Sequence, residues 1–135
     1  MNDPNYEIDR LERELAVVQA DTLAAEAITI DGAAAALSWP AKEVETALQT
    51  GRLVAFDHHG RRRLPMWQLS SSEPPTPLPA VPALARSFGG DAIALSDWVN
   101  TPNPHLHGRT PGEALQAGEE GRVTAALTAL GAAAF

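Results

Sequence analysis

The stretch Ile28–Leu69, ITIDGAAAALSWPAKEVETALQTGRLVAFDHHGRRRLPMWQL, decides the fold of this chain. Its first half holds two short helical patterns. The first pattern presents a small apolar face, formed by Ala33, Ala34 and Leu37. Pro40 marks the corner that follows, because proline fixes φ and suits the first position of a new helix. Val44 and Leu48, four residues apart, then lie on one face of a second helix.

The second half of the stretch predicts a β-ribbon. Gly51 fits the left-handed position that ends a helix. A strand-like run, Leu53–Phe56, follows it, and the segment His58–Gly60 supplies the turn. Three cations occupy the returning segment, namely Arg61, Arg62 and Arg63. Helix, turn, helix and a ribbon with cations at its tip is the outline of a winged DNA-binding module.

The same stretch resembles the excisionase and MerR-like helix-turn-helix family. The matching residues are Ala33-Ala34…Leu37, Val44…Leu48, Gly51-Arg52-Leu53 and Gly60-Arg61-Arg62-Arg63-Leu64-Pro65. The resemblance implies that the second helix and the ribbon contact DNA. The candidate DNA-binding residues are Lys42, Arg52, His58, Arg61, Arg62 and Arg63.

The chain departs from this family in two places. The family has glycine and serine at the corner, where this chain has Ser38 and Pro40. Glu43 and Glu45 also flank the single Lys42 in the helix expected in the major groove. Carboxylates repel phosphate and at best accept a hydrogen bond from cytosine. We therefore assign phosphate contacts to the arginine ribbon and leave base reading by this helix open.

Composition limits the possible functions of the chain. Its 135 residues suit one domain or two very small ones. The formal net charge of -7 argues against indiscriminate nucleic-acid binding, although a local basic ribbon remains compatible with it. The absence of cysteine excludes disulfides and thiolate metal sites. No apolar run is long enough for a membrane span, and the N-terminus does not resemble a signal peptide. The lack of cysteine is compatible with a reducing cytoplasm.

Residues 1–27 predict an N-terminal amphipathic helix. Apolar or small residues recur in steps of three and four, the rhythm of a coiled coil, at Ile8, Leu11, Leu15, Val18, Thr22 and Ala25. Such a short heptad pattern is too brief to hold two chains together alone. Two alternatives stay open: a helix packed on its own domain, or an arm that forms a homodimer or higher oligomer. Paired modules would match paired half-sites on DNA.

Residues 70–82 read as a Pro/Ser-rich linker between two modules. Three serines precede a series of prolines, at Pro74, Pro75, Pro77, Pro79 and Pro82. This composition favours a semi-stiff polyproline spacer.

Residues 83–135 predict a small helical domain. Asp91 suits an N-cap, and Gly89-Gly90 before it stops a short helix. Thr110-Pro111-Gly112-Glu113 is a capping box with proline at the first helical position. Gly118 ends that helix, and a last helix runs from about Glu119 to Leu130 and stops at Gly131.

The C-terminal segment resembles the toxin-binding domain of Xre/MbcA/ParS-type antitoxins. The matching pattern is Trp98…Asn100-Thr101-Pro102-Asn103-Pro104…Leu106…Gly108-Arg109-Thr110-Pro111…Glu113-Ala114-Leu115, followed by Gly121…Val123. The chain has His107 where the family commonly has a second glycine. The resemblance implies a domain that blocks a RES-domain toxin, an enzyme that consumes NAD or modifies proteins with ADP-ribose. The candidate toxin-binding residues are Trp98, Asn103, Leu106, Arg109, Pro111, Leu115 and Phe135.

Two of these residues have alternative roles. Arg109 either clamps a carboxylate on the partner or ties its own turn to a carbonyl, and the internal tie is favoured because the turn must satisfy its polar groups. Phe135 ends an alanine tail that either plugs a pocket on the toxin or simply frays.

No catalytic site, metal site or cofactor is expected. His105 and His107 are two possible ligands without a third, and no nucleophile elbow or phosphate-cradling glycine loop is present. The expected fold class is mainly α: an N-terminal helix and a winged helix-turn-helix with a short β-ribbon, a Pro-rich linker and a helical C-terminal domain. The expected function is a non-enzymatic antitoxin of a type II toxin–antitoxin system that represses its own operon. The alternative is a stand-alone transcriptional regulator or phage-type repressor whose C-terminal module serves oligomerisation.

Overall fold

The computed structural model describes the backbone of residues 4–133 and the side chains of residues 7–130. Within this part of the chain the fold is mainly α with one small antiparallel sheet, which confirms the expected fold class. The elements are α1 (Pro4–Ala25), β1 (Ala27–Ile28), α2 (Ile30–Leu37), α3 (Ala41–Gln49), β2 (Phe56–His58), β3 (Arg61–Pro65), α4 (Val81–Ser87), α5 (Ala92–Val99), α6 (Pro111–Gln116) and α7 (Glu120–Ala133). None of the described helices is both long and apolar enough to cross a membrane.

Most of α1 extends away from the rest of the molecule. Its apolar positions Ile8, Leu11, Leu15 and Val18 are 52–59% exposed, and only the last turns pack, with Leu23 in the core. The interpretation of α1 as a helix packed on its own domain is therefore wrong for these four residues. The exposed stripe keeps the heptad spacing that the sequence indicated.

The helices α2 and α3 pack against each other around a three-residue corner. The Thr29 side chain caps α2 by accepting from the Gly32 N–H at 3.0 Å, and Ser38 ends the helix in a left-handed conformation, with φ 58°. Pro40 precedes the first residue of α3 and occupies the cap position. The two helices share a small core, formed by Ala33, Ala34, Leu37, Val44, Ala47, Leu53, Leu64 and Leu69.

The sheet has the order β1-β3-β2, with both pairings antiparallel. The predicted ribbon is present as β2 and β3, although its first strand begins at Phe56 and not at Leu53. His59 and Gly60 form the turn with φ 52° and 76°, the pair of positive values that a tight hairpin requires. The pairing of β1 with β3, which the sequence analysis did not foresee, joins the end of α1 to the ribbon.

The segment 70–82 folds back on itself and does not form the extended spacer that its composition suggested. The Ser70 N–H donates to the Thr76 carbonyl at 2.7 Å, and the Leu78 N–H donates to the Gln68 carbonyl at 2.8 Å. Leu78 is buried in a core that includes Leu23 and Phe56 from the first half of the chain together with side chains of α4–α7. The segment therefore brings both halves into contact, while the boundaries assigned to the domains stay a prediction.

The C-terminal helices begin largely where the sequence indicated. The Asp91 carboxylate caps α5 by accepting from the Ile93 and Ala94 N–H groups, and the capping box of Thr110 and Glu113 is complete. The predicted stop at Gly131 is wrong, because α7 continues to Ala133. A single glycine lowers helix stability by only about 1 kcal/mol, which the rest of a helix can offset.

Candidate functional site

The ribbon of β2 and β3 presents its three arginines differently. Arg61 and Arg62 are exposed, whereas Arg63 is half-buried with its Nε atom enclosed and without a hydrogen-bond partner. Successive side chains of a strand point to opposite faces, so Arg61 and Arg62 do not share one surface. Arg62 lies 3.8 Å from the Asp57 carboxylate across the ribbon. The available cationic surface is therefore smaller than three consecutive arginines suggested.

The other basic candidates lie on or beside α3. Lys42 is exposed in the first turn, next to the exposed carboxylates of Glu43 and Glu45. Arg52 follows the helix, with its guanidinium 5.9 Å from the centre of the Trp39 ring, within the range of a cation–π contact. The outer face of α3 therefore carries more negative than positive charge.

His58 was expected at the exposed tip of the ribbon, and this placement is wrong. It is the last residue of β2, and its Nε2 atom lies 2.7 Å from the Asp21 carboxylate of α1. Its side chain is only 17% exposed. His59, in the turn itself, has the exposed position instead. A contact between His58 and phosphate would require the carboxylate contact to be given up.

In the C-terminal half, Arg109 ties the loop before α6 to the loop before α7. Its guanidinium forms a two-pronged contact with the Glu119 carboxylate, with 3.1 Å between Nη2 and Oε1, and its Nε donates to the Leu106 carbonyl at 3.4 Å. The hydrogen bond from Arg109 lowers the pKa of Glu119, and the same bond raises the pKa of Arg109. The favoured internal role of Arg109 is present in the structure, with a carboxylate as the main partner.

Asn103 organises the loop that Arg109 closes. Its side chain accepts from the His105 N–H at 2.8 Å, and its main-chain carbonyl accepts from the Gly108 N–H at 3.0 Å. His107 occupies a left-handed conformation with φ 58°. The loop therefore keeps its tight turn even though histidine stands at a position that favours glycine.

An apolar groove of about 710 Å³ runs between α4 and α7. Phe88 and Leu127 line it and are half-buried, and Leu130 lies at its edge with 45% of its surface exposed. The sequence analysis predicted the helix that carries Leu127 and Leu130 but did not identify the groove, because α4 is too short to show which face it leaves open.

This helical segment is similar to a known family. Residues 83–132 match the family model of the antitoxin Xre/MbcA/ParS C-terminal toxin-binding domain. The match covers most of α4, all of α5 and α6 and nearly all of α7, and it includes the Arg109 loop and most residues that line the groove. No match was found among curated proteins or among solved structures. The match covers less than half of the chain, and it suggests an antitoxin whose partner is a toxin.

Within the matched segment, residues 83–132, the candidate toxin contacts differ widely in exposure. Leu106, Pro111 and Leu115 are buried in its core, so we expect them to shape the domain and not to contact a partner directly. Trp98 is half-buried with its ring centre 5.8 Å from that of Phe88, and Asn103 is half-buried in the loop. Phe135 lies outside the described residues.

Three polar side chains join the matched segment to residues 67–71, and the sequence analysis assigned none of them this role. The Trp67 Nε1–H donates to the buried Ser96 hydroxyl at 2.8 Å, and the Gln116 amide donates to the Leu69 carbonyl at 2.7 Å. Gln116 also accepts from the Ser71 N–H at 3.0 Å. These contacts link residues far apart in sequence, so no local pattern indicates them.

Proposed function

We propose that this chain is the antitoxin of a type II toxin–antitoxin system, and that it neutralises a RES-domain toxin and represses its own operon. The observation that supports the first part is the match of residues 83–132 to a toxin-binding domain. The RES identity of the toxin follows from the resemblance of the motif around Asn103, Arg109 and Pro111. We propose no catalytic role, because the family model that matches is that of a domain that binds a toxin.

The groove between α4 and α7 is the surface that we assign to the toxin. It is largely apolar, and the exposed Leu130 together with the half-buried Phe88 and Leu127 gives it the character of a binding-site centre. Two half-buried loop residues act behind it: the Arg109–Glu119 contact fixes the start of α7, which carries Leu127 and Leu130.

The direct test uses the protein encoded beside this chain. Expression of that neighbour alone should arrest bacterial growth, and co-expression of this chain should restore it. The two proteins should then co-purify. A neighbour that has no RES domain, or one that neither harms the cell nor binds this chain, would reject the proposal.

Autorepression is the second part of the proposal, and it rests on the ribbon. Two helices with a three-residue corner, followed by a hairpin with exposed Arg61 and Arg62, give the outline of a winged DNA-binding module. Because Glu43 and Glu45 make the outer face of α3 acidic, we assign phosphate contacts to the ribbon and to Arg52. Binding of the chain to its own promoter, measured by fluorescence anisotropy at low salt, tests this part.

A stand-alone transcriptional regulator is the alternative function. The exposed stripe of α1 favours it, since an unpaired apolar helix suits the oligomer that such a regulator needs. Promoter binding without any toxin partner would support this alternative. Both functions place the protein in the bacterial cytoplasm, at the nucleoid when it is bound to DNA, and both use a homodimer or larger assembly.

A further inference from the structure

Three potential metal ligands from two separate elements meet beside the ribbon. The Asp21 Oδ1 atom of α1 lies 2.7 Å from the His58 Nε2 atom and 3.9 Å from the His59 Nε2 atom. The three donor atoms all lie within 4.8 Å of one another. Two imidazole nitrogens that converge on one carboxylate oxygen form a donor set, because each of these atoms can ligate a metal.

The fold explains why the two histidines converge although they are consecutive. Side chains of neighbouring residues in a regular strand point to opposite faces. His58 ends β2, whereas His59 has φ 52° and opens the turn, so the chain changes direction between them. Their ring centres are 4.0 Å apart, with an angle of 66° between the planes. The turn therefore brings His59 back towards Asp21 beside His58.

We propose that Asp21, His58 and His59 bind one divalent transition-metal ion of the Zn²⁺ type. Two imidazoles and one carboxylate suit Zn²⁺, Co²⁺ or Ni²⁺, whereas Mg²⁺ and Ca²⁺ prefer sites made of oxygen atoms. Water completes the coordination, since His59 and Asp21 have side chains that are 80% and 56% exposed. The ion pins the turn of the ribbon to α1.

The distances fit such an ion after small side-chain movements. Zinc–ligand bonds of about 2.0–2.1 Å in a tetrahedral arrangement place neighbouring donor atoms about 3.3 Å apart. The Asp21–His58 distance of 2.7 Å must therefore widen slightly, and the Asp21–His59 distance of 3.9 Å must shorten. The two exposed side chains have room for these changes, while the half-buried His58 stays in place.

The sequence analysis expected no metal site, because the three ligands come from two distant parts of the chain. Asp21 and His58 are 37 positions apart, so no motif joins them. The pair that the sequence did single out, His105 and His107, lies in the loop before α6 and is not part of this cluster.

The experiment is a titration of tag-free protein with Co²⁺, followed by visible absorption, and with Zn²⁺, followed by calorimetry. We expect one ion per chain and displacement of Co²⁺ by Zn²⁺. Asp21→Asn and His59→Gln change exposed side chains, and each should weaken the affinity at least about tenfold. Circular dichroism of each variant checks that the fold is retained.

The double variant His105→Gln, His107→Gln is the matched control, because it removes two exposed histidines outside the cluster. It should bind Zn²⁺ like the unmodified chain. The proposal is overturned if the unmodified chain shows no saturable binding of one ion, or if Asp21→Asn and His59→Gln both bind Zn²⁺ with unchanged affinity.

Discussion

The Gln68 side chain exchanges two hydrogen bonds with the main chain of Val54 in the interior of the molecule. The Val54 N–H donates to Gln68 Oε1 at 2.8 Å, and Gln68 Nε2 donates to the Val54 carbonyl at 2.9 Å. The same Nε2 donates to the Pro65 carbonyl at 3.0 Å, and Gln68 is fully buried. One amide thus replaces the strand pairing that Val54 would otherwise need, and it holds the residues before β2 against the end of β3.

Replacement of Gln68 by leucine should destabilise the protein strongly. Leucine has a similar size but leaves three main-chain groups buried without partners, so we expect a loss of at least about 2 kcal/mol in the free energy of unfolding. Urea denaturation measures it. Gln49→Leu, at an exposed position of α3, is the control and should change stability by no more than about 0.5 kcal/mol. Equal effects of both substitutions would contradict the role of Gln68.

The pH dependence of stability should report the contact between Arg109 and Glu119. The pKa of Glu119 is lower in the folded state than its usual value of 4.5, mainly because of the hydrogen bond from Arg109. The stability that ionised Glu119 contributes to the fold is therefore present above about pH 4.5. This stability is lost as the pH falls through the lowered pKa of the folded state. The pKa of Arg109 is raised, so its own contribution is lost only in strong alkali.

We therefore expect Glu119→Gln to lower the melting temperature at pH 7, with a difference from the unmodified chain that shrinks as the pH falls below 4.5. Thermal unfolding at several pH values measures this. Glu45→Gln, on the exposed face of α3, is the control and should show a smaller difference. A Glu119→Gln variant that is equally destabilised at all pH values would show that the contact acts through packing alone.

Promoter binding should lose salt sensitivity when the ribbon loses its exposed arginines. Each phosphate contact contributes about 0.9 to the slope of log affinity against log salt concentration. Arg61→Ala combined with Arg62→Ala should weaken binding and reduce that slope by at least about 1, because the two side chains lie on opposite faces of the strand. Arg86→Ala, exposed on α4, is the control and should leave the slope unchanged. An unchanged slope in the double variant would show that the ribbon does not contact the DNA phosphates.

Self-association through α1 should respond to salt in the opposite direction. In the heptad pattern the positions beside the stripe are acidic at Glu7, Glu12, Glu14 and Asp21, so two copies repel each other at low ionic strength. We expect the dimer to strengthen as salt is raised, which sedimentation would measure. Leu15→Asp should abolish it, whereas Val17→Asp, equally exposed but off the stripe, should not. A chain that is monomeric at every salt concentration would contradict the dimer.

Local signals were read correctly from the sequence, and long-range contacts were not. Thr110 and Glu113 cap α6 as predicted because a capping box depends on residues three apart, and the hairpin turn at His59 and Gly60 depends on two adjacent residues. The Gln68–Val54 tie and the meeting of Asp21 with the two histidines depend on tertiary packing, which no short pattern records. The same reason explains segment 70–82: its prolines permit an extended spacer, but the burial of Leu78 determines its path.

The affinity of the purified chain for the protein encoded beside it, which we propose to be a RES-domain toxin, is the measurement that tests the central claim most directly. Calorimetry should show tight binding of the unmodified chain. Leu130→Glu, at the edge of the groove, should lower the affinity at least about tenfold. Ala125→Glu, at an exposed position of α7 outside the groove, should leave the affinity unchanged. No measurable affinity of the unmodified chain for that protein would contradict the account.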